Sequence, residues 1–212
     1  IKGAKFVYNF AAISDLDQAL DKPIETAKIN ILGNLNVLEA CRIHNVERFI
    51  YASTVYVHSR EGSFYRCSKK AAEDYIEEYY KRYGLSFTIL RYGSLYGSRS
   101  GAENGLRQML NTAINKGKLQ YMGHPDTFRE YIHIDDAAKS SLLAMGKEFN
   151  NEHIVLTGQE PMKVSSVLKI IGEILGIEKD IEFLDQDYTG HYVSTPYYYN
   201  NPIGMKYKPS LH

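Results

Sequence analysis

Apolar residues along this chain fall into two alternating arrangements. Short, nearly unbroken runs read as buried strands, and longer stretches in which apolar positions recur every three or four residues read as helices. Residues 5–12 (KFVYNFAA) are the first such run and end in small residues; Arg48–Thr54, 86–91, 118–122, 153–158 and Ile181–Leu184 are the others. After the first run, Pro23 suits a first helical turn, and a helix is expected to about His44 with Ile29, Leu32, Leu35 and Leu38 as its buried stripe. A second helix opens with Tyr65 and closes at Gly84, a residue suited to a C-terminal cap. Further helices are expected from Asn104, from Asp135 and Asp136, whose side chains suit a helix N-terminus, and from Ser165 to Leu175. Beyond Asp185 the text is rich in Tyr, Asn and Pro and reads as irregular. Strands alternating with helices predict an α/β fold, a doubly wound parallel sheet with a small C-terminal lobe.

Composition narrows the function classes. A chain of 212 residues buries a real core and makes one compact unit, or one domain with a small second lobe. Lys plus Arg equals Asp plus Glu at 25 each, which suggests neither a nucleic-acid footprint nor a polybasic membrane patch. Apolar runs are broken by charge well before the ~18 residues a membrane span needs, and no basic-then-apolar leader opens the chain. A cytoplasmic protein is the expectation. Two cysteines, Cys41 and Cys67, are too few for a disulfide framework, and the seven histidines show no metal-ligand spacing.

The chemistry concentrates between Arg48 and Arg91. The strand Arg48–Thr54 ends in Ser53 and Thr54, Tyr65 follows eleven residues after Thr54, and Lys69 four after that. On a helix, residues four apart share a face, about 6 Å apart along the axis, so the Lys69 ammonium can act on the Tyr65 phenol. A nearby cation favours phenolate and lowers a tyrosine pKa, which makes Tyr65 a general acid/base. Thr54 can face the same spot and hydrogen-bond a reacting oxygen. With 18 tyrosines in the chain, Tyr-x-x-x-Lys alone is a weak signal. Its setting strengthens it: a strand ending in Ser-Thr, the pair, a helix closed by Gly84, a second strand, and the turn YGSLYG.

That series resembles the extended short-chain dehydrogenase/reductases, the NAD-dependent nucleotide-sugar epimerases and dehydratases. The resemblance runs on through NFAA (9–12), INILGNLNVLEA around Asn30 and Gly33, LRYGSLYG (90–97) and REYIHIDDAA (129–138), up to about Gly176. It implies a partial Rossmann-like sheet, with residues 1–100 as the cofactor-binding and catalytic part. Residues 101–212 would then be mainly a substrate lobe from which REYIHIDDAA returns to the site. Thr54, Tyr65 and Lys69 would be catalytic. Ala11, Ala12, Ile13, Asn30, Tyr65, Lys69 and Tyr92 would meet NAD, with NADP as the other option. Thr54, Ser94, Asn104 and Arg129 would meet the nucleotide-sugar substrate, Arg129 as a planar clamp on the diphosphate. Asn104 suits a helix N-cap equally well. The helices carrying Asn30 and Tyr65 would pair across the axis of a homodimer.

The chain also departs from the family pattern. Where family dehydratases carry Asp-Glu after this threonine and decarboxylases a Glu, it has Val55 and Tyr56, which favours epimerisation or simple oxidation/reduction. The connection from Thr54 to Tyr65 is about half the family's usual length. Gly93 and Ser94 stand where many members have a sugar-binding Asn. The chain opens at what resembles the family's fourth strand, so the glycine fingerprint that holds the pyrophosphate lies outside these residues, and the 212 residues alone are expected to be inactive. A second reading stays open: a non-catalytic, dimerising or nucleotide-binding Rossmann-like module.

Overall fold

The computed structural model describes residues 1–184 and 190–196, and residues 204–207 as backbone. In chain order the elements are β1 (Phe6–Asn9), α1 (Leu16–Asp21), α2 (Pro23–Ala27), a π-helical turn (Lys28–Gly33), α3 (Asn34–Ile43), β2 (Arg48–Thr54), a 3-10 turn (Val55–His58) and α4 (Ser63–Tyr83). There follow β3 (Phe87–Tyr92), β4 (Ser94–Tyr96), α5 (Gly105–Lys116), β5 (Leu119–Met122), β6 (Phe128–Arg129), β7 (Tyr131–His133) and α6 (Ile134–Leu143). The last are β8 (Glu152–Leu156), β9 (Met162–Lys163), α7 (Val164–Leu175), β10 (Ile181–Leu184) and β11 (Gly204–Tyr207).

The main sheet is parallel throughout, in the order β1-β2-β3-β8-β11. Its central strands are apolar on both faces, as a sheet covered by helices on both sides requires. On one face Phe49, Tyr51, Phe87 and Ile89 pack against Leu38, Cys41, Ala72 and Ile76 of α3 and α4; on the other, Ile50, Leu90, Ile154 and Leu156 pack with Ala137 of α6 and Ala144 just beyond it. A second body is built from α5, α7, β5 and β10 around Met109, Leu119, Val167, Leu168 and Ile171. β8 and β11, both beyond residue 100, belong to the main sheet, so the later half of the chain supplies sheet strands as well as this smaller body. The stretch after Asp185 reads as irregular in the sequence, yet residues 204–207 form a sheet strand there; residues 185–189, 197–203 and 208–212 lie outside the described ones.

The helix expected from Pro23 to His44 is helical nearly throughout, and the second half of its expected stripe holds, with Leu38 buried and Leu35 packed against the core, but the first half does not. Ile29 and Leu32 are 39 % and 56 % exposed, whereas Thr26, Asn30, Asn34, Leu38 and Cys41 are buried. The π-helical turn explains this: an i→i+5 turn shifts the phase of everything before it relative to α3. The inward line is therefore polar in its first half and apolar in its second.

The short connection between Thr54 and Tyr65 closes through the 3-10 turn and Gly62. Gly62 has φ of 94°, and a Cβ there would lie 2.6 Å from the Tyr56 ring. Only glycine allows both that backbone and that close approach.

Candidate active site

β2 carries Ala52, Ser53 and Thr54 to the end of the sheet, and α4 starts beside it. Tyr65 and Lys69 lie on the α4 face turned toward that strand end. The Thr54 side chain is hydrogen-bonded to the Tyr65 phenol. The Lys69 amino group donates to the Ala52 carbonyl at 2.7 Å and lies 4.8 Å from the centre of the Tyr51 ring and 5.9 Å from that of Tyr65. Thus three residues separated by up to fifteen positions meet in one place.

Electrostatics corrects one expectation. Tyr65 is not lowered by Lys69: burial pushes its phenol up to about 12, with the Thr54 hydrogen bond as the opposing influence. A phenolate stripped of water is costly, and that outweighs a cation engaged with a carbonyl. Lys69 is pushed down to about 8 by the same burial, opposed by the carboxylate of Glu73.

Thr54, Tyr65 and Lys69 line a cavity of about 1560 Å³ together with Ala12, Tyr92, Ser94, Asn104 and Arg129. Eight of the expected site residues are therefore assembled. Ala11, Ile13 and Asn30 do not line it. Ile13 is buried, and Asn30 is committed inward: its Oδ1 accepts from Ile13 N at 2.8 Å, and its Nδ2 donates to Ile13 O and Ser68 Oγ, both at 2.9 Å. With its acceptor oxygen and both donors used, Asn30 has a positioning geometry. It couples the loop after β1 to α4, next to Tyr65 and Lys69. Asn9 and Asn34 fix the same loop, since Asn9 Nδ2 donates to Asn34 Oδ1 at 2.9 Å and Ala11 N donates to Asn9 Oδ1 at 3.1 Å. The loop thereby presents Ala12 to the cavity.

Tyr92 is anchored by a 2.6 Å hydrogen bond between its hydroxyl and Ser141 Oγ, and burial pushes its phenol up to about 12. Asn104 caps α5: its Oδ1 accepts from Arg107 N at 3.1 Å while its Nδ2 donates to Leu95 O at 2.9 Å. Asp135 and Asp136 fall in the first turn of α6, but the N-cap is His133. Arg129 is buried, donates to the carbonyls of Phe128 and Tyr192 at 2.7 Å each, and stacks 4.6 Å from the Tyr192 ring. Main-chain bonding from Phe128 N to Val193 O docks the 190–196 segment on β6.

Sequence reading missed two cavity residues. Tyr56 bonds through its hydroxyl to His191 Nδ1, and its ring meets those of Tyr65 and Tyr192 at 6.4 and 4.9 Å between centroids. Burial pushes His191 down to about 4, so it is neutral near pH 7. Tyr56 stands two residues after Thr54 and was within reach of inspection; His191 lies 135 residues from Tyr56, with no local pattern to mark it.

Known proteins share both the sequence pattern and the fold. Residues 1–157 match the NAD dependent epimerase/dehydratase family. The UDP-glucuronate 4-epimerase of Thermodesulfobacterium geofontis is 24 % identical over 193 residues, covering 84 % of this chain and 59 % of the relative. The dTDP-D-glucose 4,6-dehydratase of Dictyostelium discoideum is 27 % identical over 190 residues, covering 78 % and 44 %. This chain thus spans roughly half of the length of these relatives. Among solved structures, the UDP-glucose 4-epimerase of Thermotoga maritima with UDP-glucose superposes with a TM-score of 0.79 at 26 % identity, over 86 % of this chain and 64 % of that one. The parallel sheet and its helices are the Rossmann-like arrangement of these epimerases. With the family's description covering residues 1–157, the chain belongs to the NAD-dependent epimerase/dehydratase family.

Proposed function

We propose that this chain carries the catalytic half of an NAD-dependent epimerase acting on a nucleotide-activated sugar. The observation that carries the reading is the convergence of Thr54, Tyr65 and Lys69 on one wall of a cavity whose other walls hold Ala12, Tyr92 and Arg129. The cavity is larger than the roughly 300–1,000 Å³ of an ordinary ligand pocket, which suits a cofactor and a substrate together. The residues fit NAD: Ala12 offers a small side chain where a cofactor's backbone must come close, Lys69 offers a cation beside Tyr65, and Tyr92 lines the same cavity. NAD, when bound, supplies the hydride acceptor.

Tyr65 takes the proton of a ring hydroxyl and later returns it. Thr54, already bonded to that phenol, steadies the oxygen as it becomes a carbonyl, and Lys69 supplies the cation a phenolate needs. Arg129 holds the diphosphate, its guanidinium kept in one plane by Tyr192. Val55, buried, and Tyr56, bonded to His191, follow Thr54 in place of carboxylates, which supports epimerisation or oxidation/reduction over dehydration. A homodimer goes with this reading: Ile24, Leu32 and Phe64 on the α2–α3 and α4 helices are 70 %, 56 % and 45 % exposed and suit an apolar face between two copies.

The test uses the intact protein with its upstream residues. Incubated with NAD and UDP-glucose or UDP-glucuronate, it is expected to convert the sugar to an epimer, followed by proton NMR. Denaturation should release nicotinamide nucleotide, identified by mass. Neither epimer nor bound nucleotide would overturn the reading in favour of a non-catalytic module.

A further inference from the structure

Directly behind Thr54 and Lys69 lies a closed polar cluster that the chemistry above does not use. Glu73, fully buried, stands one turn after Lys69 on α4. Ser53 Oγ donates to its Oε1 at 2.5 Å, and Arg91 donates through Nε at 3.1 Å and a terminal nitrogen at 2.7 Å. Arg91 sits opposite Ser53 in the parallel register of β2 and β3, and its other terminal nitrogen meets His58 Nε2 at 3.1 Å. One carboxylate therefore joins β2, β3 and α4 at the level of the catalytic residues.

Such a pair is a poor device for stability alone, because apolar residues of similar volume often do as well or better. Its placement gives it a different use. Lys69 is itself buried, and Glu73 is the neighbouring negative charge. Of the carboxylates on this helix, Glu73 is the one that acts on Lys69; Glu77 faces His153 instead. Burial pushes the phenols of Tyr51 and Tyr65 up, so both are neutral. Burial, then Arg91, pushes His58 down to about 4. His153 on β8 is likewise lowered by burial and faces Glu77, which is half-buried on the next turn of α4, while Lys70 contributes positive charge.

We propose that Glu73, held by Arg91 and Ser53, is a positioning residue that keeps Lys69 protonated and holds the strand end that carries Thr54. This rests on the reading of Lys69 as the charged partner of Tyr65. The mechanism is Coulombic and geometric: without the carboxylate, the buried ammonium loses the charge that opposes its desolvation and keeps only the Ala52 carbonyl and the Tyr51 ring.

Lys69 lines the cavity, so a small amine-acylating reagent can titrate it in the protein without substrate, with the labelled peptide quantified by mass. In Glu73→Gln the labelling midpoint of Lys69 is expected to fall by about one pH unit or more, and the alkaline limb of turnover in the intact protein should move with it. Ser53→Ala, which keeps the ion pair, should leave the midpoint in place and lower kcat modestly through Thr54. If Glu73→Gln does not fold, Glu73→Gln/Arg91→Met removes both charges without orphaning either, and its midpoint must also fall. A folded variant of either kind with the unaltered Lys69 midpoint overturns the proposal. Labelling needs no nucleotide sugar: a shifted midpoint in a protein that turns over no sugar would sink the epimerase reading and keep this one.

Discussion

The interior behind the site and the core of the smaller body are built on opposite plans. Behind the site, Asn9, Asn30, Asn34, Ser53, Ser68, Lys69, Glu73 and Arg91 are all 6 % exposed or less, most of them joined by directed hydrogen bonds. In the smaller body, α5 and α7 meet β5 through Met109, Ala113, Leu119, Val164, Val167, Leu168 and Ile171, and no polar side chain of α5, β5, α7 or β10 is buried. Apolar burial is strong but non-directional. Hydrogen bonds add little net stability each, yet fix angles and cost much when broken on one side. The site thus rests on the region that specifies geometry, and the smaller body on the one that supplies cohesion.

The largest expected break in this comparison is chemical. Tyr65→Phe should cost about 10²–10⁴ in kcat with little change in melting temperature, because it removes a hydroxyl at the cavity wall and no packing. Unchanged turnover would remove Tyr65 from the mechanism.

Next come two substitutions that set the regions against each other. Leu168→Ala, fully buried in the smaller body, should cost about 2–5 kcal/mol in chemical denaturation while the folded fraction retains most of its kcat. Asn30→Ala should cost less, about 1–3 kcal/mol, yet lower kcat more, because Ile13 and Ser68 lose the amide that ties them to each other. The reverse ranking of kcat would mean that the polar interior does not position the site.

The last effect is read as a dependence on pH. Lys69 has a folded-state pKa of about 8 against an ordinary 10.5, so between these values the unfolded chain binds more protons than the folded one. The cost of burying the charge is fully present below about pH 8 and is relieved as pH rises toward 10.5. Lys69→Met should gain stability relative to the parent near pH 7, and that relative gain should shrink across this window. The lost bond to Ala52 O adds only an offset independent of pH. Denaturation curves that stay parallel across the window would show that Lys69 is not depressed.

Much of the frame is legible in the residues themselves. Strands at Arg48–Thr54 and Ile181–Leu184 and the cap at Gly84 follow from local pattern and from glycine's freedom. The four-residue step from Tyr65 to Lys69 puts both on one helix face whatever surrounds them. The same step leads from Lys69 to Glu73, a spacing that marks Glu73 as a neighbour of the pair but says nothing of its burial. The stripe of Ile29 and Leu32 failed because a single π turn changes the phase, and nothing in the residue types announces it. Asn30 is a residue whose polarity inside a helix promised a partner; only the fold decided that the partner is the backbone of Ile13 and the hydroxyl of Ser68.

By itself, then, the sequence determined the α/β alternation, the spacing of Tyr65 and Lys69 and the family likeness, because these depend on periodicity and on distances along one helix. Tertiary structure decided which groups share the cavity, the rise of the Tyr65 pKa, the meeting of Tyr56 with His191, and the seat of Glu73 beneath Lys69. Desolvation and hydrogen bonding between residues far apart in the chain exist only once the strands are in register, and no local pattern encodes them.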